Sequence, residues 1–252
     1  MKQEYDTKKL VAYITSGYPE KSFTIDLALA LGENGVDSLE LGVPFSDPVA
    51  DGPVIEKANH FSLENGFKFS HLLEITKEVA PKVDTLWMGY FNSFYQQNMP
   101  ELLKKARELQ LSGMIIPDLP HEEALAYKDA FSENRLANIS FVAPTDSFER
   151  VKTVVQDAQK FIYLVAYAGI TGAGKSEDLQ EIVTSIKKVT ETPVFVGFGV
   201  NEKTAKSKVE GVDGVIVGSA FVDVLLQDNL SYTQKIKRCS KISSNIKSII
   251  NE

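Results

Sequence analysis

The chain has 252 residues, 43% apolar and 24% charged, enough to bury a full globular core. Its 27 basic and 34 acidic residues leave a net charge of -7, which argues against a surface built for nucleic acid or anionic membrane. One cysteine, Cys239, and three scattered histidines, His60, His71 and His121, exclude an internal disulfide, a multi-cysteine metal cluster and a His-rich metal site. Residues 1–6 carry acids where a secretory signal carries an apolar run, and no stretch of about 18 apolar residues occurs. A cytoplasmic location is expected.

Along the chain, short apolar runs predict strands over residues 10–15, 38–41, 85–89, 113–116, 139–142, 161–166, 193–197 and 214–217. The stretches between them keep helical spacing, as in Leu102, Leu103, Ala106 and Leu109, or Leu179, Ile182, Ile186 and Val189. Eight such units in about 250 residues match an α/β (β/α)8 TIM barrel better than a doubly wound sheet of five to seven strands. No linker or low-complexity tract divides residues 1–252, so a single barrel domain is expected, with an extra helix at the N-terminus. At the other end, Ile236, Cys239, Ile242, Ile246 and Ile249 recur at steps of three or four and predict a final amphipathic helix. Its lysines and arginines read as a solvated face, and Cys239 as a small core residue.

The second strand carries the most telling chemistry. Leu39 and Leu41 alternate with Glu40, which sets the carboxylate on the opposite face from the leucines. Gly42, Pro44, Pro48, Gly52 and Pro53 then prevent continued strand or helix and shape a loop that ends in Asp51. One carboxylate on a rigid strand and one on a loop suit divided labour, the first moving protons and the second holding developing positive charge. The plainer alternative makes Glu40 a satisfied barrel-interior residue and Asp47 and Asp51 turn formers. A hard-metal site on these three acids has no further support in the segment.

Barrel enzymes commonly bind phosphate after strands 7 and 8. Here Gly197-Phe198-Gly199 follows the seventh predicted strand, and Gly218-Ser219-Ala220 follows the eighth and opens a helix. Glycines there allow close backbone approach, and Ser219 adds a hydroxyl. A competing signal is Gly169 to Ser176, which satisfies the P-loop pattern and, taken alone, would make the chain a nucleotide-binding protein with Lys175 on the phosphates. Its place after the sixth of eight strands favours instead a glycine-rich lid over the barrel mouth.

Taken together, Leu39-Glu40-Leu41-Gly42-Val43-Pro44-Phe45-Ser46-Asp47-Pro48, Ala50-Asp51-Gly52-Pro53, Gly89-Tyr90-Phe91-Asn92, Pro117-Asp118-Leu119-Pro120, Gly169-Ile170-Thr171-Gly172, Gly197-Phe198-Gly199-Val200 and Val217-Gly218-Ser219-Ala220 resemble the tryptophan synthase alpha chain family, the indole-3-glycerol-phosphate lyases. The resemblance implies retro-aldol cleavage of indole-3-glycerol phosphate to indole and glyceraldehyde 3-phosphate without a cofactor. It assigns Glu40 as the acid/base and Asp51 as the acceptor of the indole N–H. It places Tyr163, Thr171, Gly172, Gly199, Gly218 and Ser219 around the substrate and its phosphate, and Tyr13, Met88, Tyr90 and Phe198 around the indole. It further implies an αββα assembly with a beta chain that carries pyridoxal phosphate, with the Asp47 and Asp118 loops as the coupling surface. Where family members often carry Ser-Arg before the lid glycines, this chain has Ala166-Tyr167-Ala168.

Overall fold

Strand periodicity sorts the apolar side chains into two layers. Val11, Leu86, Ile115, Ile139, Phe161, Phe195 and Ile216 form one buried cluster, the filling of a barrel interior. Their alternating neighbours, such as Leu10, Leu39, Leu41, Met114, Leu164, Val196 and Val215, belong to the larger core shared with the surrounding helices. Glu40 lies between Leu39 and Leu41, so the same alternation turns it to the interior.

A computed structural model describes residues 7–165 and 176–252. Among these, nine strands occur: β1 (Lys9–Thr15), β2 (Ser38–Gly42), β3 (Asp84–Met88), β4 (Gly113–Ile115), β5 (Ala137–Asn138), β6 (Ser140–Val142), β7 (Ile162–Val165), β8 (Val194–Gly197) and β9 (Gly214–Val217). All pair in parallel in the order β5-β4-β3-β2-β1-β9-β8-β7-β6. β5 and β6 are two halves of one strand position interrupted at Ile139. β5 pairs with β4 and β6 with β7, while the Ile139 N–H donates to the Met114 carbonyl at 3.0 Å. The sheet therefore curls through eight positions into the expected single-domain (β/α)8 barrel. The predicted strand over 139–142 is the one whose start differs most, because ladder pairing begins at Ala137 and skips Ile139. The extra N-terminal helix falls on residues outside those described.

The helix Tyr232–Ile249 is started by its own sequence. Ser231 Oγ accepts from the Gln234 N–H and Gln234 Oε1 accepts from the Ser231 N–H, a reciprocal capping box. Its buried face holds Cys239, Ser243 and Ile246, while Ile236, Ile242 and Ile249 are partly buried. Lys235 departs from the expected solvated face. It is buried, and its Nζ donates at 2.7 Å to the Leu225 carbonyl, the last residue of the helix Ser219–Leu225. Burial pushes the Cys239 thiol up to about 12, so it remains a protonated core group.

The N-terminal rims of the strands are tied by ion pairs away from the site: Asp37 with Lys9 and Lys247, Asp84 with Lys160, and Asp213 with Lys187. Ion pairs at this rim serve a barrel's stability, whereas chemistry sits at the opposite, C-terminal rim. No helix among the described residues is long and apolar enough to cross a membrane.

Candidate active site

The C-terminal strand ends converge on a cavity of about 300 Å³. Strand β1 contributes Tyr13, β2 Glu40, β3 Met88 and β7 Tyr163. The loops after β8 and β9 add Phe198, Gly199, Gly218 and Ser219, and Asp51 enters from the loop after β2. Nine of the residues expected at the site are thus brought together. Thr171, Gly172 and the rest of the Gly169 to Lys175 segment lie outside the described residues.

Adjacent strands fix the first carboxylate by register, with Tyr13 opposite Glu40 across β1 and β2, and Leu86 opposite it across β2 and β3. Glu40 is 2% exposed and its Oε1 has no protein hydrogen-bond partner. A desolvated, unpaired carboxylate favours its protonated form. Burial, then the nearby negative charge of Asp51, raises Glu40 from 4.5 to about 8. Asp51 is also raised, to about 6, chiefly by burial, while hydrogen bonds from Tyr90 and Asn59 oppose that rise and Glu56 adds to it. The two carboxylates form a coupled pair whose proton resides mainly on Glu40 at neutral pH.

This pair has a cost in stability with a definite sign. Between 4.5 and about 8 the folded chain holds a proton on Glu40 that the unfolded chain releases. Stability therefore falls as pH rises through that window, by at most about 1.4 kcal/mol per pH unit. A Glu40→Gln variant removes this titration. Its melting temperature is expected to fall less between pH 5 and pH 8 than that of the wild type, as thermal scans at the two pH values will show.

Two strand-end glycines make room for the aromatic walls. A Cβ at Gly42 would lie 2.3 Å from the Tyr13 hydroxyl, and one at Gly197 would lie 2.4 Å from the Tyr163 ring. The substitution Gly197→Ala is expected to displace Tyr163 from the cavity wall, at about 1–3 kcal/mol of stability and with a rise in substrate KM. Steady-state kinetics alongside a melt will separate the two effects. After Gly197 the chain turns through Phe198 and Gly199, both with positive φ (72° and 69°). Thr204 holds this turn, its Oγ1 donating to the Gly199 carbonyl at 2.6 Å and accepting from the Asn201 N–H at 3.0 Å.

One expected position is placed differently. Tyr90 is not a wall of the cavity. It is buried behind Asp51, stacked on Phe45 at 5.2 Å, and its hydroxyl accepts from the Ala50 N–H at 2.9 Å. The family resemblance placed it at the indole, but the loop Ala50–Asp51 folds over its hydroxyl. Asp47 and Asp118, expected on a coupling surface and not in the cavity, lie outside it: Asp47 accepts from Ser46 Oγ at 2.5 Å, and Asp118 accepts from the Phe91 N–H at 2.8 Å. The sequence reading missed Val54, Ile55, Val200 and Ile216 as lining residues. Ile216 was recoverable from its two-residue spacing to Gly218, whereas the others depend on how helix Pro53–Glu64 and the β8 loop dock. Among the described residues no cluster of His, Cys, Asp and Glu could hold a metal ion.

A buried carboxylate pair at the C-terminal mouth of a (β/α)8 barrel, walled by aromatic rings and flanked by two glycine loops, defines a barrel enzyme rather than a binding module. Comparison with known proteins narrows the class. The family model described as tryptophan synthase alpha chain matches residues 1–251. A tryptophan synthase alpha chain of Wolinella succinogenes is 54% identical over 245 residues, covering 97% of this chain and 96% of its own. The solved tryptophan synthase subunit alpha of Campylobacter jejuni superposes with a TM-score of 0.86 at 34% identity, covering 94% of this chain and 96% of that one. A Mycobacterium tuberculosis tryptophan synthase structure gives a TM-score of 0.88 at 31% identity, covering 98% and 93%.

The chain belongs to the tryptophan synthase alpha chain family, the lyases that cleave indole-3-glycerol phosphate. The alpha reaction needs no cofactor of its own, pyridoxal phosphate being the beta chain's. These relatives lend no support to the nucleotide-binding alternative for Gly169 to Ser176.

Proposed function

We propose that Glu40 and Asp51 carry the retro-aldol cleavage of indole-3-glycerol phosphate in this chain. The supporting observation is the buried Glu40 carboxyl, unpaired at Oε1 and held protonated near neutral pH beside a more acidic Asp51. Glu40 donates its proton to indole C3, which makes the ring an indolenine-type cation and the C3 substituent a leaving group. The resulting carboxylate takes the proton of the adjacent glycerol hydroxyl as the C–C bond breaks. That oxygen becomes the aldehyde of glyceraldehyde 3-phosphate, the bonding pair restores the aromatic indole, and Glu40 ends protonated as it began. Asp51 accepts the indole N–H and stabilises the positive charge that develops on the ring nitrogen.

Tyr13, Met88, Tyr163 and Phe198 suit the apolar faces of the indole, and the approach through Gly199, Gly218 and Ser219 suits the phosphate. With a net charge of -7, the anion is held by local backbone and hydroxyl donors at these loops rather than by the protein's overall field. Thr171 and Gly172 are proposed to complete this end of the site. The activity is tested by indole release from indole-3-glycerol phosphate by the purified chain.

We further propose that the chain works in an αββα assembly with a tryptophan synthase beta chain, coupled through the Asp47 and Asp118 loops. In support, Val49, two residues beyond Asp47, is 83% exposed, and Tyr95, in the helix that Asp118 caps, is 60% exposed. The lyase rate is expected to rise when beta chain is added. An unchanged rate with demonstrated binding would remove coupling from the proposal.

A further inference from the structure

Asp51 sits on an irregular loop, yet the reaction assigned to it needs its carboxylate aimed at one atom of a planar ring. Two side chains from separate elements supply the aim. Asn59, in the helix Pro53–Glu64, is 1% exposed and donates from Nδ2 to Asp51 Oδ2 at 3.2 Å. Tyr90, two residues past β3, is 1% exposed, and its hydroxyl lies beside Asp51, where it favours the anion. Because the Tyr90 oxygen already accepts the Ala50 N–H at 2.9 Å, its one proton is left for Asp51. A single residue pair thus holds both the backbone before Asp51 and its side chain.

The Asn59 amide has a telling imbalance. Its Oδ1 is buried without a protein partner, although its Nδ2 is engaged. A carboxylate can only accept, so the amide must turn its NH2 toward Asp51 and leave its oxygen without a partner. An apolar residue would fill the same space without that cost. We propose that Asn59 and Tyr90 are positioning residues, a two-donor clamp that aims the Asp51 carboxylate at the indole N–H. The inference rests on the role assigned to Asp51 above and adds the groups that make it possible.

The clamp also acts on ionisation. Asp51 is faced by Tyr90 and Asn59, whose hydrogen bonds favour the anion, and by Glu56, which disfavours it; burial is the main opposing influence. Glu40, Tyr13 and Tyr163 share the cavity with it. Removing either donor moves Asp51 upward from about 6.

The test compares full-length wild type with Asn59→Ala, Tyr90→Phe and Asp51→Asn. Each clamp variant is expected to lose roughly 10- to 100-fold in kcat/KM for indole-3-glycerol phosphate, with its acidic limb displaced to higher pH. Binding is measured with indole-3-propyl phosphate, which has the indole N–H but no cleavable glycerol, and with glycerol 3-phosphate, which lacks the ring. Weakened binding of the indolyl probe with unchanged glycerol 3-phosphate binding supports the clamp. Equal losses on both probes, or an acidic limb that stays in place, overturn it in favour of a merely structural role. Tyr90→Phe keeps the ring stacked on Phe45, so it remains informative if Asn59→Ala folds poorly. Wild-type kcat/KM in Asp51→Asn would defeat the parent reading; loss in Asp51→Asn with wild-type behaviour in both clamp variants would defeat the clamp alone.

Discussion

Replacing Glu40 by Gln is expected to reduce indole release from indole-3-glycerol phosphate by at least roughly 10²- to 10⁴-fold, the range that one positioned acid/base supplies. Gln keeps the size of the side chain but can neither give a proton to indole C3 nor take one from the glycerol hydroxyl. Since Glu40 serves both steps, the loss belongs at the upper end, with kcat affected more than KM. The wild-type pH profile carries the same signature. Glu40 must begin protonated, so kcat/KM should fall as pH rises through about 8, while Asp51 must be ionised, so it should fall as pH drops through about 6. The limbs report the pair rather than either residue alone. A flat profile between pH 5 and 9, or a Glu40→Gln variant within tenfold of wild type, would remove Glu40 from the proton transfers.

The second large effect is expected from Asp51→Asn. The amide is close to the carboxylate in shape but carries no charge to set against the indolenine-type cation. Loss of one electrostatic stabiliser in a water-poor site is worth roughly 10²- to 10³-fold in kcat. The acidic limb should disappear from the profile of the residual activity, because the group responsible for it no longer titrates. Removing Asp51 also removes the negative charge that helps raise Glu40. The basic limb should therefore move to lower pH, and titration of the variant will show whether it does. A basic limb that stays in place would mean that burial alone sets Glu40.

Much of this site could be read along the chain because its parts sit at periodic or punctuated positions. Glu40 interrupts a two-residue alternation of leucines, and prolines bracket the loop that carries Asp51. The glycine turns follow strands β8 and β9 at the places where a barrel binds phosphate. Tyr90 was different: the family resemblance placed it against the indole, and only the fold of the Ala50–Asp51 loop put its hydroxyl on the Ala50 N–H and beside Asp51. Asn59 carried no signal at all, since a polar residue on an amphipathic helix reads as solvent-facing until the helix is docked. Lys235 is the same case at the other end of the fold, a lysine in a predicted solvated face that instead reaches the Leu225 carbonyl.

By itself the sequence determined what depends on nearest neighbours and spacing: the alternation of strand and helix, the inward turn of Glu40, the shaped loop after it, and the membership in a family of lyases. Tertiary structure alone decided what depends on distance between remote segments. Strand register set Tyr13 opposite Glu40, burial separated two chemically similar carboxylates into a proton holder and an anion, and helix docking brought Asn59 to Asp51. The division has a physical cause. Side-chain direction follows from local backbone geometry, whereas desolvation and the field at a carboxylate sum over every segment packed around it.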